Sequence, residues 1–156
     1  MRIHNGHIRI LLADDDVDDR LFFKEAISEI NSGIILETVV NGEELMDKIS
    51  ATDAIFPDYI FLDLNMPCKN GFECLDEIKS NERFENIIVV IYSTSSNQTD
   101  INESYKKGAN LYLRKPVNYS ELKDALTRIL GLKWEKYIPV PRKEKFVWKG
   151  TAKKEI

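Results

Sequence analysis

The chain has 156 residues, 43% hydrophobic and 31% charged, the make-up of one ordinary globular domain with room for a real core. No stretch approaches the roughly 18 apolar residues of a membrane span, the first residues lack a signal-peptide core, and two cysteines make no disulfide framework, so a reducing cytoplasm is expected. The net charge of −4 is uneven: from Lys133 onward eight Lys/Arg face three Asp/Glu, a tail of +5, which leaves −9 on the first 132 residues, an acidic body that argues against a nucleic-acid surface on the main domain and suits the handling of cations.

His4 and His7 are too few and too terminal for a metal site. Residues 8–13 form an apolar run read as a first strand, followed by Asp14, Asp15 and Asp16. A helix begins near Val17, where Asp18 and Asp19 suit the dipole of a first turn. Its apolar stripe is Leu21, Phe22, Ala26, Ile27 and Ile30, and Asn31-Ser32-Gly33 ends it. Residues 34–40 read as a second strand, Asn41-Gly42 as a turn, and Leu45, Met46 and Ile49 as the stripe of a short helix. Tyr59-Ile60-Phe61-Leu62 is apolar without alternation, as suits a strand covered on both faces. It runs into Asp63, and Pro67 with Lys69-Asn70-Gly71 marks a turn before a helix with Phe72, Leu75 and Ile78 inward. Residues 87–91 are almost purely β-branched and lead into Tyr92-Ser93-Thr94. A helix over 100–107 closes at Gly108, and a fifth strand, Leu111-Tyr112-Leu113, ends at Arg114-Lys115-Pro116. Leu122, Ala125, Leu126, Ile129 and Leu130 stripe the last helix, capped at Asn118 or Ser120 and stopped by Gly131. Strict strand–helix alternation predicts an α/β fold: a doubly wound, five-stranded parallel sheet.

Four of these strands end in chemistry: Asp14 and Asp15, Asp63, Ser93 and Thr94, and Lys115. Ends on one rim of a parallel sheet converge, and ligands collect outside the carboxyl ends. Crowded carboxylates resist ionising without a cation, and a hard divalent ion with oxygen ligands resolves that. A carboxylate beside such an ion can attack a phosphoryl group, with a lysine and a hydroxyl offsetting charge on the moving oxygens.

In order and spacing this set resembles the receiver domain of two-component response regulators, over about residues 7–132. The resemblance rests on the acidic pair, on Asp63 in Leu62-Asp63-Leu64-Asn65-Met66-Pro67, and on Gly71, Ser93-Thr94, Tyr112 and Lys115-Pro116. It implies a flavodoxin-like fold in which Asp63 accepts a phosphoryl group from a histidine kinase. Asp15, Asp63 and the Asn65 carbonyl would hold Mg2+ directly, with Asp14 acting through water. Ser93 would be the switch hydroxyl beside Thr94, Tyr112 a mobile aromatic, and Lys115 a phosphoryl contact before a proline that the family holds cis. The implied partners are a sensor histidine kinase or phosphotransfer protein and a downstream protein, with no membrane and no nucleic acid. The implied role is signalling or phosphorelay rather than metabolic catalysis, although the domain could hydrolyse its own phosphoryl group.

Asp16 makes a third acid after the pair, and Asp14 with Asp15 is preferred because the strand ends at Ala13. Asp14, Asp16, Asp18 and Glu25 imitate a calcium loop, but Asp19 stands where that loop needs glycine and a strand precedes it. A haloacid-dehalogenase-type phosphatase would use Asp14 as nucleophile and Asp16 as acid, leaving Asp63 unexplained. A receiver-like binding module without phosphorylation would not need the intact acids, hydroxyl and lysine. Residues 133–156 are too few for an effector domain. Their aromatics, Trp134, Tyr137, Phe146 and Trp148, either fold back or form a docking or dimerisation arm, a homodimer through 98–132 or the tail being one outcome.

Overall fold

The computed structural model describes residues 7–31 and 33–149, so His4 and the last seven residues lie outside the described residues. Strands β1 (Ile8–Ala13), β2 (Ile34–Val39), β3 (Tyr59–Leu62), β4 (Ile88–Ser93) and β5 (Leu111–Arg114) form one parallel sheet in the order β2-β1-β3-β4-β5. Helices α1 (Val17–Ile30), α2 (Gly42–Ser50), α3 (Gly71–Lys79), α4 (Gln98–Lys106) and α5 (Tyr119–Leu130) alternate with them, and a single turn, α6 (Lys143–Phe146), follows. This is the doubly wound, flavodoxin-like architecture that the alternation predicts. Among the described residues, no helix is long and apolar enough to cross a membrane.

The unbroken apolar runs of β3 and β4 follow from a sheet covered on both sides. Ile60, Leu62, Val89 and Ile91 join the core beneath α2, α3 and α4. Tyr59, Phe61, Ile88, Val90 and Tyr92 join the core beneath α1 and α5. Each of the five long helices starts at an Asp or Asn whose side chain accepts a first-turn amide: Asp16, Asn41, Asn70, Asn97 and Asn118. Asn70 and Glu73 complete a reciprocal capping box.

Helix α1 departs from the expected stripe. Phe23, Ala26 and Ile27 are buried, while Leu21 and Phe22 are 57% and 52% exposed. The cap at Asp16 sets where the helix starts, and its facing to the sheet turns Phe23 into the core, edge-on to Phe61 at 5.1 Å and Tyr92 at 5.5 Å.

In the tail, the aromatics fold back, one of the two courses open to them. Trp134, Tyr137 and Phe146 are buried against the domain rather than offered to a partner. Trp134 packs edge-on to Tyr59 at 5.7 Å, and the buried Asn110 donates from Nδ2 to the carbonyls of Tyr137 and Pro139, each at 3.1 Å. Farther on, Val147 bridges Tyr112 in parallel, and the Trp148 amide donates to the Tyr112 carbonyl at 2.8 Å, covering the open edge of β5. Burial of this aromatic area within the chain is favoured by the hydrophobic effect, while Trp148 stays half-buried.

Candidate functional site

Strand order reverses between β1 and β3, which opens a crevice at their carboxyl ends. The backbone ladder runs one residue past each strand: the Asp14 amide donates to Val39 O at 3.1 Å, and the Asp63 amide to Ala13 O at 3.0 Å. Sheet hydrogen bonds therefore set the positions of both acids. Ligand oxygens of Asp14, Asp15 and Asp63 lie within 4.8 Å of one another, with Asp14 and Asp63 buried and Asp15 exposed. Gly71 packs directly on the backbone that follows β3: its amide donates to Leu64 O at 2.9 Å, and an added Cβ would overlap the Asp63 carbonyl.

Lys115 arrives from β5, its own amide bonded to the Ser93 carbonyl at 2.7 Å. Its ammonium lies 2.7 Å from Asp19 Oδ2, 2.9 Å from Asp14 Oδ2 and 3.4 Å from Asp63 Oδ2, and 5.3 Å from the centre of the Tyr92 ring. Burial pushes the Asp63 carboxyl up to about 6, against the pull of Lys115 and with the push of Asp14. Burial likewise raises Asp14, against its hydrogen bonds from Lys115 and the Asp16 amide. Burial alone would lower Lys115, but its hydrogen bonds to Asp14 and Asp19 and the charge of Asp63 outweigh that and raise it.

Asp16 points to a separate role, since its carboxylate accepts the Asp19 amide at 3.0 Å as the cap of α1. That geometry favours Asp14 and Asp15 as the pair, and the strand before them is incompatible with a calcium loop. The Asn65 amide donates to Asp63 Oδ1 at 3.3 Å. Ser93 is buried at the end of β4, its Oγ accepting the Ser95 amide at 3.1 Å. Thr94 is exposed, and its carbonyl accepts from Arg114 Nε at 3.4 Å. Tyr112 is buried, with its hydroxyl donating to the Ser95 carbonyl at 2.9 Å. Lys115-Pro116 is not among the cis peptide bonds of the described residues, where Ile138-Pro139 is, so the family's cis proline at 116 is not borne out.

Two residues near the site were not singled out from sequence. Asp19 reads as a helix-dipole acid, yet it makes the shortest contact to Lys115 because one helical turn carries it back over the strand ends. Ser95 links Ser93 to Tyr112 through its own amide and carbonyl, a role that no side-chain pattern signals.

The residues present fit a hard divalent cation: all three converging side chains are carboxylates, and the neighbouring cation, Lys115, is shared with Asp19. Among the described residues this is the group of acidic side chains close enough to hold one.

Known proteins share this fold. The profile of the response regulator receiver domain matches residues 10–127. The nitrate/nitrite response regulator protein NarL of Escherichia coli is 35% identical over 117 residues, which are 75% of this chain and 52% of that protein. The chain thus spans about half the length of that relative. The crystal structure of the phosphorylated cyanobacterial phytochrome response regulator RcpA superposes with a TM-score of 0.74 at 37% identity, covering 79% of this chain and 91% of that one. The Mn2+-bound form of response regulator Rcp1 gives 0.71 at 30% identity, covering 86% and 99%.

Proposed function

The chain belongs to the response regulator receiver family, whose members signal by phosphorylation in two-component systems, and from this we propose that Asp63 is its phospho-acceptor. The observation that carries the assignment is one ammonium held at 2.7–3.4 Å by three carboxylates from three elements, Asp63 being the one at the end of the central strand.

The donor is a phosphohistidine on a sensor histidine kinase or phosphotransfer protein. An Asp63 carboxylate oxygen attacks phosphorus, the new O–P bond forms as the donor's N–P bond breaks, and that bond's electron pair returns to the imidazole. Lys115 stands 3.4 Å from Asp63 Oδ2, within reach of an oxygen of the arriving group. Magnesium, held by Asp15, Asp63 and the Asn65 carbonyl with Asp14 acting through water, would offset the charge of the carboxylates and of the phosphoryl oxygens. Ser93, with Thr94 beside it in the switch segment, donates its hydroxyl to a phosphoryl oxygen, and Tyr112 follows the loop that Ser93 begins. Val17, Leu21 and Phe22 lie exposed on α1 beside the acids and supply apolar surface for the donor protein.

The resulting change is a local electrostatic event read through β4, α4 and β5 by proteins downstream or by the next carrier of a relay. Residues 7–132 carry the switch, and the tail is part of its surface.

The test is intact mass after incubation with acetyl phosphate and Mg2+, for wild type and Asp63→Asn. One added phosphoryl group, dependent on Mg2+ and absent from the variant, is the expected result. An adduct that survives in the variant would move the nucleophile to Asp14. No adduct under any condition would make the domain a binding module.

A further inference from the structure

The segment after α5 is the part of the molecule that a phosphorylation switch does not itself require, and it is built onto the switch residues. Tyr112 is where the two meet. On one side its hydroxyl holds the Ser95 carbonyl at 2.9 Å, while the Ser95 amide holds Ser93 Oγ at 3.1 Å and Ser95 Oγ donates to Asp100 Oδ2 at 2.7 Å. On the other side the Phe146 ring stands edge-on to Tyr112, with centroids 6.1 Å apart, and the Trp148 amide holds the Tyr112 carbonyl at 2.8 Å. Phe146 is also edge-on to Tyr105 at 5.1 Å, and the Tyr105 hydroxyl donates to the Pro141 carbonyl at 2.8 Å. Phe146 and Tyr112 are each 1% exposed, so the Tyr112 ring cannot swing toward the sheet edge while Phe146 is seated.

We infer that residues 141–148 are an internal ligand of the α4–β5 face, whose seating and the phosphorylation of Asp63 stabilise each other. The inference rests on the proposed phospho-acceptor role. The phosphoryl group draws the Ser93 hydroxyl toward Asp63. Ser95, bonded to Ser93 Oγ, follows, and the Tyr112 hydroxyl stays beneath the loop on the Ser95 carbonyl. Phe146 holds Tyr112 in that inward position. Two ligands that select the same position of one side chain are positively linked, and the coupling is reciprocal. Phosphorylation therefore tightens the segment rather than releasing it, and a downstream protein meets a face already covered by Phe146 and Val147.

The experiment uses the full chain with acetyl phosphate and Mg2+, and in parallel with beryllium fluoride and Mg2+ as a stable phosphoryl mimic. Hydrogen exchange of peptides covering 141–149 is the first readout. Slowing of the Trp148 amide by about fivefold or more, the low end of ordinary allosteric coupling, is expected. The reciprocal readout is beryllium fluoride affinity, which should weaken by a similar factor in Phe146→Ala and in Tyr105→Phe. The second variant removes only one hydroxyl and keeps the fold. Unchanged or faster exchange despite an Asp63 adduct overturns the inference alone, as does wild-type affinity in both variants. No adduct on Asp63 overturns the phospho-acceptor reading and this inference with it.

Discussion

Replacing Asp63 by Asn should make the metal-free protein more stable, although it abolishes phosphoryl acceptance. The Asp63 carboxyl is raised from 3.8 to about 6, chiefly by burial, so its charged form is disfavoured in the folded state. At neutral pH that difference corresponds to about 3 kcal/mol, at roughly 1.4 kcal/mol for each tenfold change. Asn keeps the shape and carries no charge, and it also relieves Asp14, whose own carboxyl is raised. For a chain of this length the expected gain in Tm is about 6–12 °C in the presence of a chelator. Because the folded state holds the Asp63 proton more tightly than the unfolded chain, wild-type stability at this site grows as pH falls from about 6 to about 4. The gap between the two proteins should therefore close across that window. Mg2+ should close it at neutral pH as well, since an ion that binds only the folded wild type adds about 2.7 kcal/mol at a hundred times its Kd. Urea titrations followed by circular dichroism, at several pH values and with or without Mg2+, provide the measurement. A variant less stable than wild type in chelator, or a gap indifferent to Mg2+, would refute the crowded-carboxylate account.

The opposite sign is expected at Lys115. Lys115→Met leaves Asp14, Asp19 and Asp63 without their shared ammonium, at a cost of about 3–5 kcal/mol in chelator that Mg2+ partly restores; unchanged urea midpoints would count against it. Gly71→Ala places a methyl on the Asp63 carbonyl and 2.8 Å from Leu64 Cα, backbone atoms that cannot turn aside. It should cost at least about 1–3 kcal/mol and slow the acetyl phosphate reaction by displacing Asp63, which parallel unfolding and mass measurements would detect.

Much of this molecule is legible in its sequence because the signals are local. Unalternating apolar runs such as Ile60 to Leu62 mark strands buried on both faces, and the Asn and Asp caps mark where helices start. A parallel sheet then has one rim to which Asp14, Asp63, Ser93 and Lys115 can go, so residue type and order already predict their convergence. What tertiary structure alone decided depends on packing between distant segments. Periodicity gives α1 an apolar stripe, but contact with Phe61 and Tyr92 selects Phe23 over Phe22. The salt bridge from Lys115 to Asp19 joins residues 96 positions apart, and no spacing rule reaches that far. The tail carries aromatic residues with no periodic pattern, equally suited to a partner or to the chain's own surface. The open edge of β5 and the space beside Tyr112 and Tyr105 seat Phe146 and Val147 on the chain's own surface, because these two residues fill both at once.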